Sequence, residues 1–157
     1  MYRLESGLKV GDFAPEFSFK DTTGNTVTLA NYRDKENVLL AFYRGESDVH
    51  SVNWLRALND DYLQIRALDT EVIAISSDKE NEAAFMKDKY SHPFRMVPDP
   101  GCKIVKMYQV YDDFTHTATS AAFVVDRSGK IRYKYVSAAP PDVPDDLKVL
   151  ETLRKME

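Results

Sequence analysis

Cysteine occurs once in this sequence, at Cys102, so no intrachain disulfide can form and no Cys-x-x-Cys motif exists. That usage fits a reducing compartment, and a cytoplasmic location is the expectation. Histidine is nearly as scarce. His50, His92 and His116 are scattered without His-x-x-His or Cys/His spacing, so neither a metal nor another cofactor is expected. There is no Gly-rich phosphate loop, and Ser76-Ser77-Asp78-Lys79 reads as a helix cap. No run of about 18 apolar residues is present, so no membrane span is expected. The first residues, Met1-Tyr2-Arg3-Leu4-Glu5-Ser6, lack the apolar core of a secretory signal. An excess of positive charge is also missing. The net charge of -4 argues against a dedicated nucleic-acid or anionic-membrane binder.

What is present suits one domain spanning residues 1–157, because 43% hydrophobic content over that length is enough for a full core. No repeat, low-complexity tract or Gly/Ser-rich linker divides it. Leu8 to Phe19 reads as an extended segment fixed by Pro15. The turn Asp21-Thr22-Thr23-Gly24-Asn25 then leads to the alternating strand Thr26-Val27-Thr28-Leu29, which makes a small N-terminal hairpin. Asn37 to Tyr43 is a nearly unbroken apolar run, the mark of a strand buried on both faces. A helix follows from about Ser47, with Val52, Leu55, Ala57 or Leu58, Tyr62 and Leu63 at helical spacing. Glu71 to Ile75 is a second buried strand, and Ser76-Ser77-Asp78 cap a helix from about Lys79 to Tyr90. A short strand spans Phe94 to Val97, and Asp99-Pro100-Gly101 opens a helix through Val105 and Tyr108. Ala121 to Val125 and Ile131 to Val136 flank Asp126-Arg127-Ser128-Gly129-Lys130 as a hairpin. A final helix presents Leu147, Leu150 and Leu153 on one face. The order predicts an α/β fold with a mixed central sheet flanked by helices.

Four segments carry a resemblance. Leu39-Leu40-Ala41-Phe42-Tyr43-Arg44-Gly45, a polar turn through Asp48, and a helix containing Leu55-Arg56-Ala57-Leu58 form the first. Val10-Gly11-Asp12-Phe13-Ala14-Pro15-Glu16-Phe17 is the second. Val97-Pro98-Asp99-Pro100 with Tyr108-Gln109-Val110 is the third, and Phe123-Val124-Val125-Asp126 with Gly129-Lys130-Ile131-Arg132-Tyr133 the fourth. In this order and spacing, from Leu8 to Val136, the chain resembles the peroxiredoxins. These form the alkyl hydroperoxide reductase/thiol-specific antioxidant family of the thioredoxin-like superfamily. The resemblance implies a thioredoxin-like fold of peroxiredoxin type, thiol peroxidase chemistry and a homodimer.

The resemblance also places the family's site residues. The reactive cysteine falls on Ser51, the pocket threonine on Asp48, the proline on Arg44 and the arginine on Ser120. In a subgroup reading Phe-Tyr-Arg-Gly, Arg44 is matched, and a Cys-x-x-Cys falls on Asp48 and Ser51. Family chemistry needs a thiolate that attacks peroxide and becomes a sulfenic acid. A serine hydroxyl stays protonated near neutral pH and cannot climb that ladder. Asp48 adds negative charge where an anionic nucleophile needs positive potential. A laboratory Cys-to-Ser exchange would account for Ser51 but for neither Asp48 nor Ser120. The leading expectation is therefore a peroxiredoxin-like protein that has lost peroxidase activity and acts by binding or assembly, with a protein partner possible. Arg44, Asp48, Ser51 and Ser120 are its degenerate active-site positions.

Cys102 offers the alternative of a working thiol-dependent oxidoreductase, since a helix start favours a thiolate. The plainer reading is a small cysteine filling the turn after Gly101. A remote alternative is a serine hydrolase using Ser51 with Asp48 and His50. Neighbours on a helix diverge by about 100°, however, so His50 cannot easily share a proton with Ser51. His116 is the loop histidine left to consider, Asp48 serves better as an N-cap, and His92 before Pro93 suits a turn. Lys130, Arg132 and Lys134 share one strand face, which reads as a charged solvated edge ahead of a phosphate contact. Tyr2, Phe13, Phe17 and Tyr108 read as core ahead of a protein contact.

Overall fold

The computed structural model describes residues 7–156, so the expectation for Tyr2 lies outside the described residues. The central strand is β3 (Asn37–Phe42), every residue of which is buried. It pairs in parallel with β4 (Thr70–Ser76) and antiparallel with β8 (Ala121–Val125). With β5 (Arg95–Pro98) and β9 (Ile131–Val136) outermost, the five-stranded order is β5-β4-β3-β8-β9. The sheet is mixed because β8 and β9 form a hairpin while β4 and β5 are reached through helical crossovers. The hairpin of β1 (Ser18–Lys20) and β2 (Thr26–Thr28) forms as expected, its turn held by Asp21 accepting from the Thr23 and Asn25 N–H groups.

Alternation along β3 builds two cores. Val38, Leu40 and Phe42 face one side, with Phe17, Ile104 and Tyr108. Leu39, Ala41 and Tyr43 face the other and meet α1 (Val49–Ala67), α2 (Glu80–Tyr90) and α4 (Asp146–Lys155). Each buried Val, Leu, Ile or Phe side chain among these contributes about 1.5–3 kcal/mol. The short α3 (Lys103–Met107) lies on the first side.

Several local expectations change. Leu63 is 81% exposed, and Trp54, Leu55, Leu58 and Ile65 make the buried face of α1. Leu147 is likewise exposed, and Val149 joins Leu150 and Leu153 in the core. Asp78 does not cap α2, because its carboxylate accepts from the Glu46 N–H across the turn. The cap position is Lys79, whose N–H donates to the Glu82 side chain. A hairpin absent from the sequence reading, β6 (Tyr111–Asp112) with β7 (Thr117–Ala118), folds over the end of the sheet. Phe17 and Tyr108 are core, whereas Phe13 is exposed under the Lys130 ammonium. The remaining basic residues on β9 are engaged internally, Arg132 with Asp126 and Lys134 with the Leu8 carbonyl.

Candidate functional site

Where β3 ends, the chain turns through Arg44 and Gly45 and re-enters a helix at Asp48. Gly45 has φ +153, and a Cβ there would lie 2.9 Å from the Asp78 Oδ1. A glycine therefore lets the turn pass close to that carboxylate. Burial is the main force pushing the Asp78 carboxyl up to about 6, with the Glu82 and Glu46 charges adding to it.

Asp48 has extended backbone (φ -95, ψ 114) and caps α1. Its Oδ2 accepts from the Ser51 N–H at 3.1 Å and from the Ser51 hydroxyl at 2.8 Å. Ser51 Oγ in turn accepts from the Arg44 N–H at 2.9 Å and is fully buried. The hydroxyl is thus donor to one group and acceptor from another. No histidine takes part. His116 bonds Tyr111 instead, 2.9 Å from its hydroxyl, and His50 lies on the outer side of α1. His92 is buried, stacked on Phe94 and bonded to Asn59. Burial, reinforced by the Lys87 charge, pulls its pKa down to about 4, so the ring is neutral.

The Arg44 side chain runs to Asp112 on β6, with Nη1 3.0 Å from Oδ2 and both side chains largely buried. Burial works against ionising Asp112, but the Arg44 and Phe114 hydrogen bonds outweigh it and hold the carboxyl below its usual value. The Arg44 Nε, Thr119 Oγ1 and Ser120 Oγ are buried without a partner among the described residues. Phe42 pairs with Ala121 in the β3–β8 register, so Thr119 and Ser120 come to the same sheet end as Arg44 and Ser51. The structure therefore gathers Arg44, Asp48, Ser51 and Ser120 at this end of β3 and adds Asp112 and Thr119. Asp112 had no periodic or spacing signal to find it by, being joined to Arg44 only through the unforeseen β6–β7 hairpin.

Cys102 belongs to a different environment. It is 6% exposed, at φ +56, with Sγ 4.0 Å from the His116 carbonyl oxygen. Burial, aided by the Asp99 charge, pushes its pKa up, opposite to the shift expected from a helix start. The reason is local. The first-turn N–H groups of Lys103, Ile104 and Val105 are taken by the Asp99 carboxylate. Among the described residues, no group of three or more His, Cys, Asp or Glu is arranged to hold a metal, and no helix is long and apolar enough to cross a membrane.

Residues 10–134 match the family described as the AhpC/TSA family. The chain belongs to it. Among AhpC/TSA relatives, a chloroplastic peroxiredoxin Q of Suaeda salsa is 30% identical over 146 residues, covering 91% of this chain and 68% of that protein. The chloroplastic peroxiredoxin Q of Sedum lineare is 30% identical over 148 residues, covering 92% and 78%. The solved structure of peroxidoxin BcpB from Mycobacterium tuberculosis is similar at a TM-score of 0.86 and 20% identity, over 96% of this chain and 99% of that one. A mitochondrial 2-Cys peroxiredoxin from Plasmodium falciparum gives 0.83 and 21%, over 94% of each. The expected thioredoxin-like architecture of peroxiredoxin type is the one observed in this AhpC/TSA member.

Proposed function

We propose that this AhpC/TSA protein has lost thiol peroxidase activity at the start of α1 and acts through binding or assembly, as a cytoplasmic homodimer. The observation that carries the reading is the Ser51 hydroxyl fixed between the Asp48 carboxylate and the Arg44 N–H. An oxygen nucleophile there is held protonated by its carboxylate neighbour and has no sulfenic state to enter. The positive end of the helix is already occupied by the Asp48 cap. Family membership supports the scaffold and leaves the activity to experiment.

The alternative is peroxidase turnover through Cys102. A buried thiol with a raised pKa is a poor nucleophile, which weighs against it. A peroxide-consumption assay with a coupled thiol reductant tests both readings. The expected result is no turnover above the reductant's own background. Turnover that disappears in Cys102→Ser would overturn the proposal. Labelling of Ser51 by acyl-directed probes would revive the hydrolase alternative, which a fully buried hydroxyl without a histidine partner does not favour.

A further inference from the structure

A cavity of about 400 Å³ opens between α1, along the side that carries His50, Trp54 and Asp61, and the start of α4. Ser51 points inward from the same helix, so this cavity is separate from the site at the end of β3. Trp54, Val143 and Pro144 supply apolar wall, and Asp61, Asp145 and Asp146 supply three carboxylates. Among the described residues, no lysine or arginine lines it. Asp146 is only 9% exposed, and its Oδ1 accepts from the Trp54 indole N–H at 3.1 Å. Its Oδ2 is buried with no donor among the described residues. A buried carboxylate oxygen without a donor is costly, so something must meet it. Either one carboxyl keeps a proton and shares it with the other, or a cation enters between them.

We propose that this cavity binds a small organic cation, a primary ammonium on a short alkyl stem, with Asp146 and Asp61 meeting the charge and Trp54, Val143 and Pro144 the stem. An ammonium carries three donors and no acceptor, which matches the donor-less Asp146 Oδ2 with the Asp61 carboxyl beside it. A coordinated metal fits less well, because no ligand set of metal-binding arrangement exists among the described residues. The volume and the mix of apolar wall with a few convergent polar groups are those of small-molecule sites. The proton and the cation compete for the same oxygens. Burial, opposed by the Trp54 hydrogen bond and reinforced by Asp61 and Asp145, raises the Asp146 pKa to about 7. The groups facing Asp146 are Asp61 and His50 from α1, Asp145 beside it and Tyr133 from β9. The proposal stands whether or not Ser51 retains any chemistry.

Trp54 is the sole tryptophan, so its indole N–H resonance reports on this cavity alone. Butylammonium chloride is titrated into the full chain, with butanol, sodium chloride and magnesium chloride as controls. The expected result is a saturable shift of the indole signal with butylammonium alone. The apparent affinity should be about tenfold weaker at pH 6 than at pH 8, because protonated Asp146 must release its proton. Asp146→Asn and, separately, Asp61→Asn should abolish saturation while keeping a dispersed spectrum. Asp61→Asn carries the test if the first variant fails to fold. His50→Gln should keep the pH dependence. An indole signal that titrates with pH but ignores butylammonium would overturn the proposal in favour of a shared proton. An equal shift with butanol or with the inorganic salts would also overturn it, as would a pH dependence that vanishes with His50.

Discussion

Introducing a thiol at position 51 tests whether Asp48 controls the chemistry of the site. In Ser51→Cys the sulfur replaces a hydroxyl that sits 2.8 Å from the Asp48 carboxylate. At an effective dielectric of about 20, two negative charges at that separation repel by about 6 kcal/mol. Asp48 is partly exposed, and the Arg44 N–H still faces the sulfur, so screening cuts this several-fold to about 1.5–3 kcal/mol. That corresponds to a thiol pKa raised by about one to two units. The helix N-terminus pulls the other way by about 0.5–1 kcal/mol. The thiol of Ser51→Cys should therefore titrate at or above the ordinary cysteine value of about 8.5. Adding Asp48→Thr should lower it by at least about one unit and raise peroxide reactivity at neutral pH about tenfold. The assay is the pH profile of alkylation by iodoacetamide, in a Cys102→Ser background to remove the other thiol. A single variant titrating below about 7, unmoved by Asp48→Thr, would refute the reasoning.

The Arg44–Asp112 pair is mostly buried, so Arg44→Met should cost about 3–5 kcal/mol by leaving Asp112 unpaired. Chemical denaturation measures this, and most of the loss should return in Arg44→Met/Asp112→Leu. Gly45→Ala should destabilise by about 1–3 kcal/mol through its backbone conformation and the Asp78 contact, read as a lowered thermal midpoint. On three strongly shifted groups, stability should fall overall as pH rises from about 4 to about 7. Asp146, raised to about 7, and Asp78, raised to about 6, bind their protons more tightly folded than unfolded. Their contributions are full below the unfolded carboxylate pKa and decline as pH rises to about 7. His92, lowered to about 4, works oppositely, and its contribution is lost as pH falls from about 6.5 towards 4. Asp146→Asn should flatten this fall, and His92→Gln should steepen it. An unchanged profile in both would contradict these assignments.

Much of the fold was legible because burial on both faces writes itself into sequence. The run from Asn37 to Tyr43 and the Val72–Ile75 core strand admitted one reading, and the Asp126–Gly129 turn fixed the closing hairpin. Asp48 was recognisable as a cap because a capping side chain acts within three residues. Interactions between distant segments were not legible. Arg44 meets Asp112 across 68 positions, and nothing in local spacing announces such a pair. Asp78 was misassigned because it looks like a cap, yet its carboxylate is claimed by Glu46 from another segment. Leu63 and Leu147 misled for the opposite reason. An apolar residue at the edge of a helical stripe is not obliged to be inside, and here Ile65 and Val149 fill the core in their place.

The burial of Cys102 has a practical consequence. A lone thiol closed off beneath the His116 carbonyl can react with a modifying reagent only while the structure around it is open. Its labelling rate, divided by that of the unfolded chain, gives the population of that open form directly when closing outpaces labelling. Without any engineered label, the protein thus carries a gauge of its own breathing at the α3 end of the sheet. A ligand or partner that tightens this region should register as slower labelling of one sulfur atom.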